Sequence, residues 1–149
     1  MIRRRLASLW SFAGRVTFPR SKRETALIQS GEPPMDNCIF CKIIRGEIPS
    51  QRVAEGDDWI AIRDINPAAP VHVLVIPRRH VDSVAALGDG DGPLAGALLL
   101  AVRDVARQEG VAETGYRTVI NTGEHGGQTV AHLHVHVIGG SQLTGHGTA

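Results

Sequence analysis

The sequence predicts an α+β domain in which an antiparallel β-sheet of about five strands carries one long and one short helix. Short segments rich in β-branched residues are joined by turns of Gly and Asp, which is typical of hairpins. A single longer segment carries apolar residues at helical spacing. With 149 residues, 42% of them hydrophobic, the chain is long enough for one core.

The first elements follow from local start and stop signals. Cys38–Arg45 is predicted to form the short helix, because Gly46 ends it and Pro49 follows. Arg52–Glu55 and Trp59–Arg63 are predicted to be two strands, since a Gly-Asp-Asp turn separates them.

The remaining elements complete the sheet. His72–Ile76 is a continuous apolar strand that stops at Pro77, and Pro93–Gln108 is the long helix, with proline near its start. Tyr116–Asn121 and His132–Ile138 are the last two predicted strands. Strands joined by hairpins with a single long helix favour antiparallel pairing.

Charge is distributed unevenly along the chain. Residues 1–35 carry seven Lys/Arg and two Glu, a net charge of +5, whereas residues 36–149 carry nine Lys/Arg and thirteen Asp/Glu, a net charge of −4. We predict a basic, disordered N-terminal extension over 1–35, a folded domain over 36–140 and a flexible tail over 141–149. A targeting peptide or a lipid-surface helix is the alternative for the extension. No apolar run reaches the roughly 20 residues of a membrane span. The mildly acidic domain argues against a nucleic-acid partner, and we expect a cytoplasmic protein without stable membrane association.

Three histidines alternate in the last predicted strand. Because strand side chains alternate between faces, His132, His134 and His136 are expected on one face, about 6–7 Å apart, with the aliphatic residues between them facing the core. Packing rarely explains three imidazoles on one face, since buried polar groups need partners.

Two kinds of chemistry suit these imidazoles. They could bind a transition metal, or one could be a nucleophile that the others support. The preceding Gly-Gly-Gln-Thr segment, residues 126–129, offers backbone N–H groups and side-chain donors for a phosphate, which favours attack on phosphorus. Cys38 and Cys41 are either half of a zinc site or two reduced thiols, with a redox pair the least favoured alternative.

The His-x-His-x-His pattern, preceded by Gly-Gln-Thr, resembles the histidine triad (HIT) superfamily. The segments at residues 37–49, 64–67 and 74–80 are similar to that superfamily in the same order, from about Asn37 to Gly140. The Gly139-Gly140 pair resembles the Hint branch, the purine nucleoside phosphoramidases.

The resemblance implies an enzyme that forms a sheet-extended homodimer. His134 would attack the α-phosphorus of a nucleoside 5′-phosphoramidate, with adenosine favoured, and form a nucleotidyl-histidine intermediate that water hydrolyses to the nucleoside monophosphate. His136 and His72 would contact the phosphate and move the proton.

The resemblance also implies a purine nucleotide site. Asp64 would hydrogen-bond the ribose, although an acidic residue there is often only a turn former. The remaining nucleotide-binding residues fall into two sets. Those that would hold the phosphate are Asn121, Gly127, Gln128 and Thr129. Those that would line an apolar pocket for the purine are Ile39, Phe40, Ile43, Ile62 and Ile65.

No cofactor is required for catalysis in this family. Cys38, Cys41, His80 and His132 resemble the positions of a structural zinc site in some bacterial members. Three alternative functions remain: a Fhit-like dinucleoside polyphosphate hydrolase, a nucleotide-binding interaction protein, and a metal-dependent hydrolase with three histidine ligands. The first is considered because threonine, as at Thr129, occurs in the Fhit branch where many Hint-like proteins have serine.

Overall fold

A computed structural model of the protein describes residues 37–145. The predicted N-terminal extension lies outside the described residues, as do the last four residues of the predicted tail. The domain boundaries at residues 36 and 140 remain a prediction.

The described chain forms five strands and two α-helices, which confirms the predicted α+β class. In chain order they are α1 (Ile39–Ile44), β1 (Arg52–Glu55), β2 (Trp59–Arg63), β3 (Val71–Pro77), α2 (Gly92–Gln108), β4 (Tyr116–Val119) and β5 (Val135–Gly139). Single 3-10 turns lie at Val84–Ala86, Asp89–Asp91 and Glu124–Gly126. No helix within residues 37–145 combines the length and apolar character that a membrane span requires.

The five strands form one sheet in the order β1-β2-β3-β5-β4, and every neighbouring pair is antiparallel. The central strands β3 and β5 pair with Val73 opposite Val137 and Leu74 opposite His136. The strands β1 and β4 are the two edges of the sheet. This order places the histidine-bearing strands in the middle of the sheet.

Each face of the sheet is covered by one helix. The helix α2 packs its buried stripe, including Leu98 and Val105, on a cluster to which β3 and β5 contribute Val73 and Val137. The helix α1 packs on the other face, where Phe40 and other apolar residues of α1 meet those of β2 and β3. The expected orientation of the aliphatic residues in the histidine segment is confirmed, because Leu133, Val135 and Val137 are all buried on the α2 side.

The histidine strand is shorter than predicted, since β5 begins at Val135 rather than at His132. The N–H of Leu133 donates to the carbonyl of Val81 at 2.6 Å, so this residue bonds a loop instead of the sheet. Pro77 of β3 has no N–H for a ladder bond, and its carbonyl accepts a hydrogen bond from the ring of His132 at 2.9 Å. The prediction that three histidines share one strand was therefore wrong, because only His136 lies within it.

The strand β4 is also shorter than predicted. It ends at Val119, which pairs with His136, rather than at Asn121. Residue 120 would lie opposite Val135, the first residue of β5, so Asn121 has no strand residue opposite it.

Candidate functional site

Three histidines gather on the face of the sheet that α1 covers. His72 comes from β3, His136 from β5, and His134 from the residue just before β5. The ring centroids of His134 and His136 lie 5.0 Å apart, and those of His72 and His136 lie 5.2 Å apart. His72 and His134 are buried, whereas His136 is partly exposed.

The protonation of His134 is set by a backbone carbonyl. Its Nδ1 lies 2.7 Å from the carbonyl oxygen of His132. Because a carbonyl oxygen can only accept, Nδ1 carries the proton and Nε2 keeps its lone pair. Phe40 packs edge-on against the His134 ring at a centroid distance of 5.2 Å, which holds the ring in place. In its neutral form, His134 is therefore oriented with its lone pair on Nε2.

His72 and His136 form a hydrogen-bonded pair. The backbone N–H of Ala68 donates to His72 Nδ1 at 3.0 Å, so a neutral His72 carries its proton on Nε2. That Nε2–H lies 2.9 Å from His136 Nδ1, which accepts it. The remaining proton of His136 then sits on Nε2, where it can be donated to a ligand.

Burial keeps this pair uncharged near neutral pH. It lowers the pKa of His72, although the carboxylate of Asp64 opposes the shift. It also lowers the pKa of His136 to about 4, an effect that the nearby His134 and His72 reinforce. The pair thus offers a hydrogen-bond donor without a fixed positive charge.

Asp64 commits one of its two carboxylate oxygens to a hydrogen bond. One accepts the backbone N–H of Asn66 at 2.8 Å, which closes an Asx turn. The other lies 3.5 Å from His72 Nε2. The turn-forming alternative is thus present in the structure, and the ribose contact stays a prediction.

The loop before the histidines is shaped by side chains. Asn121 donates its Nδ2 to the carbonyl of Gly126 at 2.6 Å. Gly127 has a φ of 74°, and a Cβ there would lie 3.2 Å from Asn121 Nδ2, so this position requires glycine. Gly127 and Thr129 are exposed, which leaves them open to a ligand.

Gln128 differs from its neighbours because its side-chain amide is already in use. Its Nε2 donates to the carbonyls of Asp82 at 2.6 Å and Val130 at 2.9 Å, and its Oε1 accepts the N–H of Gly123 at 2.9 Å. As a result, its side chain shapes the loop and has no amide proton left for a phosphate.

The Oδ1 of Asn121 is buried and has no hydrogen-bond partner among residues 37–145. Because Nδ2 must face the carbonyl of Gly126, the orientation of this amide is fixed. Asn121 follows β4 on the face that His136 shares, since Val119, two residues earlier, pairs with His136. An unsatisfied buried acceptor costs about 1–3 kcal/mol, so this oxygen is suited to a ligand donor.

The five apolar residues expected around the purine fall into two groups. Phe40, Ile43 and Ile62 are buried in the core beneath α1. Ile39 is 44% exposed and Ile65 is 90% exposed. In this structure only Ile39 and Ile65 present free apolar surface to a base.

Four predicted metal ligands come together beside the histidine pair. The ligand atoms of Cys38, Cys41, His80 and His132 all lie within 4.8 Å of one another. His132 Nδ1 lies 3.4 Å from Cys38 Sγ and 3.6 Å from Cys41 Sγ, and His80 Nδ1 lies 3.3 Å from Cys41 Sγ.

The protonation of these groups fits a metal. His132 donates Nε2–H to the carbonyl of Pro77, and His80 donates Nε2–H to the Asp82 carboxylate at 2.8 Å. Both Nδ1 lone pairs therefore face the thiols, with the outer partners that metal-binding histidines usually have. Burial lowers the pKa of His132 to about 4, so its imidazole is neutral. Burial and the adjacent Cys38 raise the pKa of Cys41 to about 11, so metal binding would release its proton.

A second group, Asp64, His72 and His136, is equally close-set but fits a metal less well. The Ala68 N–H occupies His72 Nδ1, so the Nε2 that faces the group carries a proton rather than a lone pair. His134 belongs to neither group. The hypothesis of one metal held by all three histidines of the motif therefore finds no support in this geometry.

Sequence reasoning missed the backbone and outer residues that set these protonation states. The roles of Ala68 and Pro77 involve main-chain atoms, which leave no side-chain signal. Asp82 left one signal, because metal-binding histidines often donate to a carboxylate and Asp82 lies two residues after His80.

Together these features define a class: a small α+β protein with three clustered histidines and a separate Cys2His2 cluster. The family model described as the HIT domain matches residues 45–143. Protein HitA of Neisseria gonorrhoeae is 50% identical over 105 residues, which cover 70% of this chain and 97% of that protein. The purine nucleoside phosphoramidase of Escherichia coli K12 is 44% identical over 108 residues, or 72% of this chain and 91% of that protein. A HIT family hydrolase from Clostridium thermocellum superposes with a TM-score of 0.73 at 45% identity, covering 75% of this chain and 97% of that one.

The chain belongs to the HIT family. The resemblance seen in the sequence is thereby confirmed, and so is the prediction of an enzyme of this family.

The pKa of His136 predicts how stability depends on pH. The folded state holds this pKa near 4, whereas the unfolded value is near 6.5. Between these values the unfolded state binds more protons, so the free energy of unfolding falls as the pH is lowered, by about 2–3 kcal/mol in total. We expect urea unfolding at pH 7, 6 and 5 to show a shallower pH dependence in His136→Gln than in the wild type.

His125 provides the matched control, because it is an exposed loop histidine. His125→Gln should keep the wild-type pH dependence. Equal slopes for His136→Gln and the wild type would contradict the neutral state of His136.

Proposed function

We propose that this protein hydrolyses nucleoside 5′-phosphoramidates, adenosine derivatives above all, through a nucleotidyl intermediate on His134. The observation that carries the proposal is the bond from His134 Nδ1–H to the carbonyl of His132, because it directs a lone pair onto Nε2. The relative from Escherichia coli named purine nucleoside phosphoramidase, at 44% identity, supports this choice of substrate.

In the first step, His134 Nε2 attacks the α-phosphorus and the P–N bond breaks. His136 Nε2–H donates to a non-bridging oxygen and stabilises its developing charge. The anionic phosphate raises the proton affinity of the His72–His136 pair, and Asp64, 3.5 Å from His72, favours the protonated form. The protonated pair transfers its extra proton to the nitrogen of the departing amine.

In the second step, water attacks the phosphorus of the intermediate and the P–Nε2 bond breaks. The nucleoside monophosphate is released, His134 regains its lone pair, and the proton of the water returns to the histidine pair. Gly127 and Thr129, both exposed at the loop, are suited to hold the phosphate during the two steps.

The buried acceptor of Asn121 favours an amine leaving group. Its Oδ1 has no donor among the described residues, and an amine carries N–H groups that would satisfy it. The bridging oxygen of a dinucleoside polyphosphate offers no such donor. We therefore rank phosphoramidates above polyphosphates, although Thr129 is compatible with both.

We further propose that Cys38, Cys41, His80 and His132 bind one structural zinc ion. Two thiolates and two imidazoles are a normal tetrahedral zinc set, and all four ligand atoms converge here. The ion would tie the start of α1 to the segment before β5, and it takes no part in the reaction. Because both cysteines are free thiols, we expect the protein to act in a reducing compartment such as the cytoplasm.

A homodimer is the assembly we propose. The helix α2 exposes Leu99 and Leu100 by 58% and 54%. The strand β4 is an edge, with Ile120 exposed just beyond it. Exposed apolar residues on a helix and an unpaired strand edge both suit a symmetric interface that extends the sheet.

The nucleophile can be tested by trapping. A slow adenosine 5′-phosphoramidate, quenched in alkali, should leave an adenylyl group on the peptide that contains His134, detectable by mass spectrometry. His134→Ala should lose the adduct and lower kcat by about 10⁴-fold or more, as expected for loss of a nucleophile. The exposed His125→Ala should keep the wild-type rate.

Retention of activity in His134→Ala would overturn the mechanism. Faster cleavage of a diadenosine polyphosphate than of the phosphoramidate would instead reverse the order of the two substrates.

Metal content tests the zinc centre. Protein purified without added zinc should contain about one zinc ion per chain by mass spectrometry of the elements. Cys41→Ser should lose most of it and lower the thermal midpoint. Wild-type zinc far below one per chain, with no effect of the cysteine change, would contradict the centre.

The mass in solution tests the dimer. Sedimentation at micromolar concentration should give twice the chain mass, and a double change of Leu99 and Leu100 to Lys should shift the protein to monomer by burying charge at the interface. A monomeric wild type would refute this assembly. Replacing the exposed Val84 by Lys serves as the control, since that residue lies off α2.

A further inference from the structure

Gln128 links two parts of the protein that the mechanism treats separately. Its Oε1 accepts the N–H of Gly123, at the start of the phosphate-binding loop, here residues 123–129. Its Nε2 donates at 2.6 Å to the carbonyl of Asp82, a residue 46 positions earlier in the chain. One side-chain amide therefore spans from the loop to the segment that contains His80.

Asp82 is the outer partner of the metal cluster. Its carboxylate accepts Nε2–H from His80 at 2.8 Å, and this bond turns His80 Nδ1 toward Cys41. The same residue uses its main-chain carbonyl to hold Gln128. Because the two bonds act on one residue, the orientation of His80 and the position of the loop are mechanically connected.

A second bond anchors this segment to the catalytic side. The N–H of Leu133 donates to the carbonyl of Val81 at 2.6 Å. The residues 80–82 thus lie between the metal cluster and the chain that carries both the loop and His134. Movement of this segment would be transmitted to both.

We propose that Gln128 is a positioning residue that couples metal occupancy of the Cys38–Cys41–His80–His132 cluster to phosphate binding by the loop. The inference rests on the proposed function, since it takes residues 123–129 as the phosphate-binding loop. A metal fixes the ring of His80, His80 holds Asp82, Asp82 holds Gln128, and Gln128 holds Gly123. Gln128 itself touches neither the metal nor the phosphate.

This path is separate from the one through His132. The carbonyl of His132 acts on the nucleophile, so its disturbance would alter the chemical step. Gln128 acts on the anion cradle, so its loss should alter the affinity for the phosphate. The two paths can be told apart by binding measurements that involve no turnover.

Coupling must be reciprocal, which gives a test with two independent readouts. In the full-length protein, zinc should tighten the binding of adenosine 5′-monophosphate about tenfold, measured by calorimetry on zinc-loaded and chelator-stripped protein. The monophosphate should tighten zinc by the same factor, measured by competition with a chromophoric chelator.

The variants remove the link and keep the sites. Gln128→Glu retains an acceptor for Gly123 but loses the donor to Asp82, and the near-isosteric Gln128→Met loses both. Each should reduce the coupling factor to about twofold or less. The coupling factor is the ratio of the monophosphate affinities with and without zinc, so a loss of affinity that is equal in both states does not change it. Thermal melting shows which variants are folded, and one folded variant is enough to test the coupling.

Gln108 supplies the matched control. Its Nε2 also donates to a distant backbone carbonyl, that of Val53 at 2.9 Å, but it lies at the end of α2 away from the loop. Gln108→Glu should keep the wild-type coupling.

Three results would overturn the inference, and they differ from one another. Wild-type coupling near one, with both ligands bound, rejects the link and leaves the proposed function intact. Undiminished coupling in Gln128→Glu and Gln128→Met rejects Gln128 as its carrier. Failure of the wild type to bind the monophosphate or zinc rejects the proposed site together with the coupling.

Discussion

The geometry of this site depends on His132, through both its ring and its main-chain carbonyl. Its ring is fully buried, with Nε2–H bonded to the carbonyl of Pro77 and Nδ1 facing Cys38 and Cys41. Its main-chain carbonyl accepts Nδ1–H from His134. A buried imidazole without partners would cost several kcal/mol, so the cluster around the ring fixes the backbone of residue 132. That backbone in turn fixes the ring of His134, the proposed nucleophile.

Burial has a second consequence. It removes positive charge from the site that we propose binds an anion. The pKa of His136 is lowered to about 4 and that of His72 is lowered as well, so their donors are neutral before a ligand binds. A pair that gains its proton only when an anion approaches concentrates the stabilisation in the reaction. The Asp64 carboxylate beside His72 makes that gain possible.

Much of this could be predicted from the sequence, and the failures have physical causes. The β1–β2 strands and the long helix were predicted to within a residue, because apolar periodicity and turn residues act locally. The four residues of the Cys2His2 cluster were also named as a group, and their ligand atoms converge in the structure. The orientation of Gln128 could not be foreseen, since its partners Asp82 and Gly123 are main-chain groups brought close only by folding. Sequence pattern identifies donors but not whether the fold has already used them.

The late start of the histidine strand explains why the carbonyl of His132 is available to His134. Strand residues commit their carbonyls to the ladder in alternation with the neighbouring strands. If the strand began at His132 as predicted, that carbonyl would have been placed among strand partners rather than against an imidazole. The strand begins only at Val135, because Pro77 offers no N–H and Leu133 bonds to Val81. The carbonyl of His132 is thus free to accept Nδ1–H from His134, and the loss of three residues of regular sheet allows the proposed nucleophile to be oriented.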